Sequence, residues 1–286
     1  MRALIVGCGY VGLKLGAELV QGGHRVWGVR RSDRGDTELV AAGVTPVHVD
    51  LTVPESLGEL PRNCDWVVLC VSSGGGGVPE YERTYFKGAQ HLIGWLASNP
   101  PSKFIYTGST SVYGQTDGSI VDETSPTDPE SLTARVLVRT EQLFLKAAAG
   151  GLPAIALRVG AIYGPKRTYW FDQIRTGKTK LDGKGDRILN MIHRDDVAGV
   201  VLAALAHGKP GAVYNAVDDC PVQQSEFFQW LSEQLGCPFP GLAETHPGVD
   251  SKRGVTNKHV SNRKLKEQLG YGFKFPTFRE GYRSLE

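Results

Sequence analysis

Gly7, Gly9 and Gly12 stand in LIVGCGYVGLKLG as G-x-G-x-x-G, directly after an apolar run and at the head of a helical pattern. In that context the first glycine permits a tight turn, and the second lets the backbone approach a pyrophosphate. The third lets the helix pack close to the strand, with its N-terminus facing the phosphates. Cys8, Tyr10 and Val11 belong to the same loop, and the small size of Cys8 explains it better than reactivity does. A dinucleotide is the ligand this loop implies. For NAD, an acidic residue is expected about 20 residues on, at the end of the second strand, to take the ribose hydroxyls. The sequence there reads GVRRSD. Arg30 and Arg31 would pair with a ribose 2′-phosphate and Ser32 would add a hydrogen bond, which favours NADP over NAD. One of the two arginines is equally well read as a solvated loop charge, and Asp33 lies close enough to argue for NAD. Asp50, followed by Leu51 in HVDLT, is the better candidate for the adenine side.

These groups need a scaffold, and the chain supplies one by alternation. ALIVG, RVWGV, TPVHVD, DWVVLCV, KFIYTG and AIALRVG are short apolar runs separated by helical patterns. Strands that are apolar almost throughout indicate a parallel sheet covered on both faces, a doubly wound α/β domain of Rossmann type. A helix is expected over Asp128–Phe144, another from about Asp195 and Asp196, and an amphipathic one over Ser225–Leu235. The expected division is a dinucleotide-binding domain over 1–165, rejoined by about 190–217, with a smaller substrate lobe from 166–189 and 218–286.

Composition sets the outer bounds. The chain has 286 residues, 41% of them hydrophobic and 22% charged, enough for a full core and a second lobe. Its formal charge of +2 gives no electrostatic case for nucleic acid or an anionic membrane. Without a charged leader or an apolar run long enough to span a bilayer, the chain is expected in the cytoplasm. Five cysteines with no C-x-x-C argue for reduced thiols and against a metal site. A small-molecule substrate is the expected partner, and the chain is expected as a monomer or homodimer.

Several motifs, in order, resemble the extended short-chain dehydrogenases, the NAD(P)-dependent epimerase/dehydratase family. They are the glycine loop, FIYTGSTSVYG, LRVGAIYGPKR, NMIHRDDVAGVV and VYNAV, and together they cover nearly the whole chain. The glycine loop departs from the family's G-x-x-G-x-x-G, as in atypical members. The resemblance implies a tyrosine and, four residues later, a lysine on the helix after the serine strand. That spacing puts both on one face, where the lysine lowers the phenol pKa for proton exchange with the substrate. With the usual downstream glutamate on Glu141, Thr133 takes the tyrosine position and Leu137 the lysine position. Neither does that chemistry. Register does not rescue it, since no tyrosine occurs between Gly114 and Tyr163; Tyr10 and Lys14 form a Y-x-x-x-K only by coincidence, inside the glycine loop.

The resemblance also implies a pocket. Ser109 falls at the substrate-orienting serine, and Tyr113 lies close to it; both are candidate catalytic groups, although a phenol packed beneath the loop is the competing reading of Tyr113. Thr107 resembles the strand end beneath the nicotinamide, and Ser72, Ser73 and Gly74 the loop lining the cofactor. Lys166, Arg167 and Tyr169 occupy the stretch that opens toward the substrate and could hold a phosphate or carboxylate. Arg135 and Arg139, four apart, could offer a cationic face in place of the missing pair but read better as a solvated helix face, and His193, a candidate general base, has a structural counterpart in the family. Two functions follow: an NADP-dependent oxidoreductase or epimerase/dehydratase-like enzyme on a small or nucleotide-linked substrate, without the usual pair, or a non-catalytic NADP-binding sensor or scaffold.

Overall fold

In the first half of the chain, β1 (Arg2–Val6), α1 (Tyr10–Gln21), β2 (Arg25–Arg30), α2 (Asp36–Ala41), β3 (Thr45–His48) and β4 (Trp66–Leu69) follow one another closely. Then α3 (Val78–Tyr81) runs through a π-helical segment, Glu82–Lys87, into α4 (Gly88–Leu96). β5 (Lys103–Ser109), β6 (Ile120–Val121), α5 (Leu132–Ala149) and β7 (Ala154–Val159) come next. The remainder holds β8 (Ala161–Tyr163), α6 (Tyr169–Arg175), β9 (Ile188–Leu189), β10 (Met191–His193), α7 (Arg194–His207) and β11 (Val213–Ala216). It ends with β12 (Val222–Gln223), α8 (Gln224–Leu235), β13 (His259–Val260), α9 (Arg263–Leu269) and α10 (Phe278–Arg283). This computed structural model describes residues 1–181, 184–241 and 256–285. Residues 182–183, 242–255 and 286 of the expected smaller lobe lie outside the described residues.

Seven strands form one parallel sheet in the order β11-β7-β5-β4-β1-β2-β3. The order in which successive strands are added reverses beside β1, which pairs with β2 on one edge and β4 on the other. The crevice at the carboxyl end of β1 is therefore the switch point at which open α/β sheets take ligands. Pleating separates the side chains of β1 onto two cores. Ala3 and Ile5 pack with Leu15 and Leu19 of α1 and Val197 and Val201 of α7. Leu4 and Val6 pack on the opposite face with Leu92 of α4 and Phe144 of α5. Burial on both faces is why these strands read as continuous apolar runs.

Helix α5 starts at Leu132 rather than Asp128, because the residue before Pro129 is sterically driven out of the helical region. A separate aromatic cluster joins α6, α8 and α10 through Phe171, Phe227, Phe228, Phe278 and Tyr282. Tyr163 stacks on Tyr282 with centroids 4.6 Å apart and planes 6° apart. Thr277 caps α10, accepting from the Arg279 amide while its own amide donates to Glu280. Within 218–286, however, Leu265 and Leu269 of α9 pack into the main core beside α7, so part of that stretch returns to the sheet.

Candidate functional site

A cavity of about 820 Å³ runs along the carboxyl ends of the strands, over the glycine loop. Gly7, Cys8, Gly9, Tyr10 and Val11 line it. Gly7 has φ +88, and a Cβ there would lie 2.7 Å from the backbone of Val71, so the turn admits only glycine. A Cβ at Gly9 would meet only the Gly7 carbonyl oxygen at 3.9 Å, leaving this stretch of backbone open to the cavity. Gly12 lies behind the wall, where a Cβ would sit 3.0 Å from Ile5 Cγ2; its role is the close packing of α1 on β1. Helix α1 begins without a side-chain cap and without an acidic residue in its first turn. Its leading amides are thus available to an anion. Burial pushes the Cys8 thiol up to about 12, with Arg30 opposing, which makes it a packing group.

At one end of the cavity lie Arg30, Arg31, Ser32, Asp50 and Leu51, together with Arg34 and Glu38. Arg30 is committed to the protein: Nε donates to Cys8 O at 2.7 Å and Nη1 to Arg34 O at 3.0 Å. It fastens the glycine loop to the end of β2. Arg31 and Ser32 are exposed on the same wall. Partial burial disfavours the Asp50 carboxylate, but the Thr52 amide at 2.9 Å and the fields of Arg31 and Arg83 outweigh it and hold the carboxyl below its ordinary range.

At the other end the wall carries Ser72, Thr107, Gly108 and Ser109. Ser109 ends β5; its Oγ accepts from the Ser111 amide at 3.1 Å and meets Ser111 Oγ at 2.9 Å. Thr107 Oγ1 donates to Leu69 O at 3.3 Å. Ser73 and Gly74, expected beside Ser72, do not reach the wall. The Ser73 amide donates to the Tyr85 phenol at 3.3 Å and the Gly74 amide to Ser72 Oγ at 3.4 Å, which turns the loop away. Tyr85 lines the cavity instead, placed there by the π-helical segment.

Tyr113 requires a correction. It is fully buried and absent from the cavity wall. Its phenol lies 2.8 Å from both Asp122 O and Asn215 Oδ1, and accepts from Arg158 Nη1 at 2.7 Å. Arg158 in turn forms a bidentate ion pair with Glu141 at 2.7 and 2.9 Å. Burial pushes the phenol up to about 12, and this geometry makes it a strut tying the segment after β5 to β7 and β11, and through Arg158 to α5, rather than an acid–base group. On α5, Leu137 lines the cavity, whereas Thr133 is buried off it with its hydroxyl 3.1 Å from that of Ser131. Arg135 donates to Pro129 O and Arg139 pairs with Glu82, so neither faces the cavity.

Lys166 and Arg167 sit where the main cavity meets a second hollow of about 480 Å³, lined by Tyr163, Tyr169, Trp170 and Tyr282. Tyr169, expected beside them, reaches only this second hollow. Lys166 has φ +63, unusual for a residue with a side chain. The Arg167 guanidinium lies 4.3 Å from the Tyr10 ring centroid and that of Arg194 5.2 Å from it, so two cations flank the head of α1. His193 is buried, and its Nδ1 accepts from the Asp195 amide at 3.2 Å to cap α7. Burial pulls its imidazole down to about 4, leaving it neutral. Among the described residues no cluster of three or more His, Cys, Asp or Glu could hold a metal ion, and no helix is long and apolar enough to cross a membrane.

A glycine loop at the switch point of a parallel sheet, opening into a cavity along the strand ends, defines a Rossmann-type protein. The chain belongs to the NAD dependent epimerase/dehydratase family, whose pattern matches residues 3–216. It is 25% identical over 279 residues to protein YeeZ of Escherichia coli, covering 96% of each chain. Over 260 residues it is 28% identical to the 2-alkyl-3-oxoalkanoate reductase of Shewanella oneidensis, covering 83% of this chain and 67% of that one. A functionally unknown conserved protein from Silicibacter pomeroyi superposes with a TM-score of 0.81 at 29% identity, covering 99% of this chain and 97% of the other.

Proposed function

We propose that the chain binds NADP, and NAD less tightly, in the main cavity and acts as an oxidoreductase on a small carbonyl or hydroxyl substrate held at Lys166, Arg167 and Tyr169. One observation carries this reading: a single cavity joins Arg31, Ser32 and Asp50 through the open glycine loop to Thr107, Ser109 and Lys166. That span suits an extended dinucleotide, with the adenosine at the arginines, the diphosphate at the head of α1 and the nicotinamide over Thr107 and Ser109. When bound, the cofactor would supply hydride transfer. The chain's own part is to orient it and to offer the Ser109 hydroxyl to the reacting oxygen. The reductase among the relatives supports carbonyl reduction as the reaction class. Native mass spectrometry of the purified chain mixed with NADPH tests the reading: a one-to-one complex is expected, and only free chain at saturating NADPH would overturn it.

A second reading has one observation in its favour. With Leu137 on the wall and Thr133 off it, the two positions implied for proton exchange offer no acid. A chain that binds NADP and reports its occupancy without turnover fits that chemistry.

A further inference from the structure

The adenosine end of the cavity carries opposite charges side by side. Arg30 is enclosed by two carbonyls and by Gly35, whose φ is +89 and whose Cβ would stand 1.9 Å from Arg30 Nη1. Only Nη2 is left uncommitted, and Glu38 Oε2 lies 3.7 Å from it. This ion pair aims a carboxylate along the cavity wall while 58% of the Glu38 side chain stays exposed. Glu38 lies on α2, well past the end of β2, so no motif spacing points to it. Arg31 shares the wall, and its guanidinium has no hydrogen bond or ion pair to a described residue.

We propose that Glu38 moderates the cofactor choice of this chain: its carboxylate accepts the adenosine ribose hydroxyls of NAD and repels the 2′-phosphate of NADP. The inference rests on the dinucleotide reading above. A carboxylate at the ribose is the arrangement that favours NAD, and a phosphate brought beside it meets like charge. Arg31 pulls the opposite way by pairing with that phosphate. The two residues therefore form a balance on one wall, with Arg30 as the fixed post that orients Glu38. Solvent screening at a group so exposed limits the repulsion to about tenfold in affinity.

Calorimetric titration of the full chain with NADPH and with NADH tests this. Glu38→Gln keeps the shape and removes the charge; the ratio of NADPH to NADH affinity should rise about tenfold, equivalent to ~1.4 kcal/mol. Glu38→Ala should move the ratio in the same direction, and Arg31→Ala should lower it. Because Arg30 keeps both carbonyl partners in each variant, the glycine loop stays anchored. A ratio in Glu38→Gln within twofold of the unaltered chain, or opposite shifts in the Gln and Ala variants, would overturn the inference alone. Failure of the unaltered chain to bind either dinucleotide would overturn the dinucleotide reading and this inference with it.

Discussion

Replacing Tyr113 with phenylalanine separates a strut from a catalytic acid. The ring stays, and with it the contact to the Arg158 guanidinium at 4.8 Å. What is lost is the hydroxyl that accepts from Arg158 at 2.7 Å and shares its proton between Asp122 O and Asn215 Oδ1 at 2.8 Å. A hydrogen bond to a charged group contributes about 1.5–3 kcal/mol, and stranding a buried acceptor costs a further ~1 kcal/mol. The Glu141 pair still satisfies part of the guanidinium, so a net loss of about 2–3 kcal/mol is expected. At roughly 2–4 °C per kcal/mol for chains approaching this size, the thermal midpoint should drop by roughly 4–12 °C. Melts followed by circular dichroism, with NADPH titrations on the same samples, measure both quantities. NADPH affinity should stay within twofold. An unchanged midpoint with a collapse of activity or cofactor binding would refute the assignment of Tyr113 to the interior.

Other substitutions probe other parts of the account. Gly9→Ala meets almost nothing in the protein, so its midpoint should shift little, but NADPH affinity should fall at least ~10-fold where a methyl blocks approach to the diphosphate. On a carbonyl substrate, Thr133→Ala should leave turnover within a few-fold and Ser109→Ala should reduce it by about 10²-fold; a large loss at Thr133 would show that its hydroxyl relays a proton. Burial pushes the Asp218 carboxyl up to about 8, opposed by the Cys220 amide and assisted by nearby Asp219, Asp196 and Glu280. The folded chain thus holds a proton that the unfolded chain releases near pH 4, and this group's contribution falls as pH rises through that interval. Asp218→Asn should raise the midpoint relative to the unaltered chain, by more at pH 8 than at pH 6, and a gap independent of pH would count against that protonation state.

What the sequence disclosed depended on how local each feature is. The glycine loop was readable because strand, turn and helix are contiguous, and the apolar runs gave the sheet because both of its faces are buried. The register that the resemblance implies from Glu141 puts Leu137 at the lysine position, and Leu137 lines the cavity, whereas Thr133, one turn earlier, does not. Sequence leaves Tyr113 open between a catalytic group and a packed phenol because the partners that decide for the packed one, Arg158 and Asn215, come from distant strands. Arg30 resembled a free phosphate reader because the carbonyls and Gly35 that enclose it become neighbours only when the loop after β2 folds back. Tyr85 carries no local sequence signal for a different reason: a π-helical segment shifts side-chain direction within an otherwise regular helix, and periodicity does not register it. Most of the residues expected around a dinucleotide therefore line the main cavity, whereas the pairing of Arg30 with Glu38 at one end of it has no local sequence signal.

The most direct test of the central claim is amide hydrogen exchange of the full chain with and without saturating NADPH. Protection is expected at the head of α1, from Gly9 to Gly12, along Arg31 to Glu38, and at Thr107 to Ser109, with the aromatic cluster around Phe227 and Phe278 unchanged. Unaltered exchange across those three segments, or protection confined to the second hollow around Tyr163 and Trp170, would contradict it.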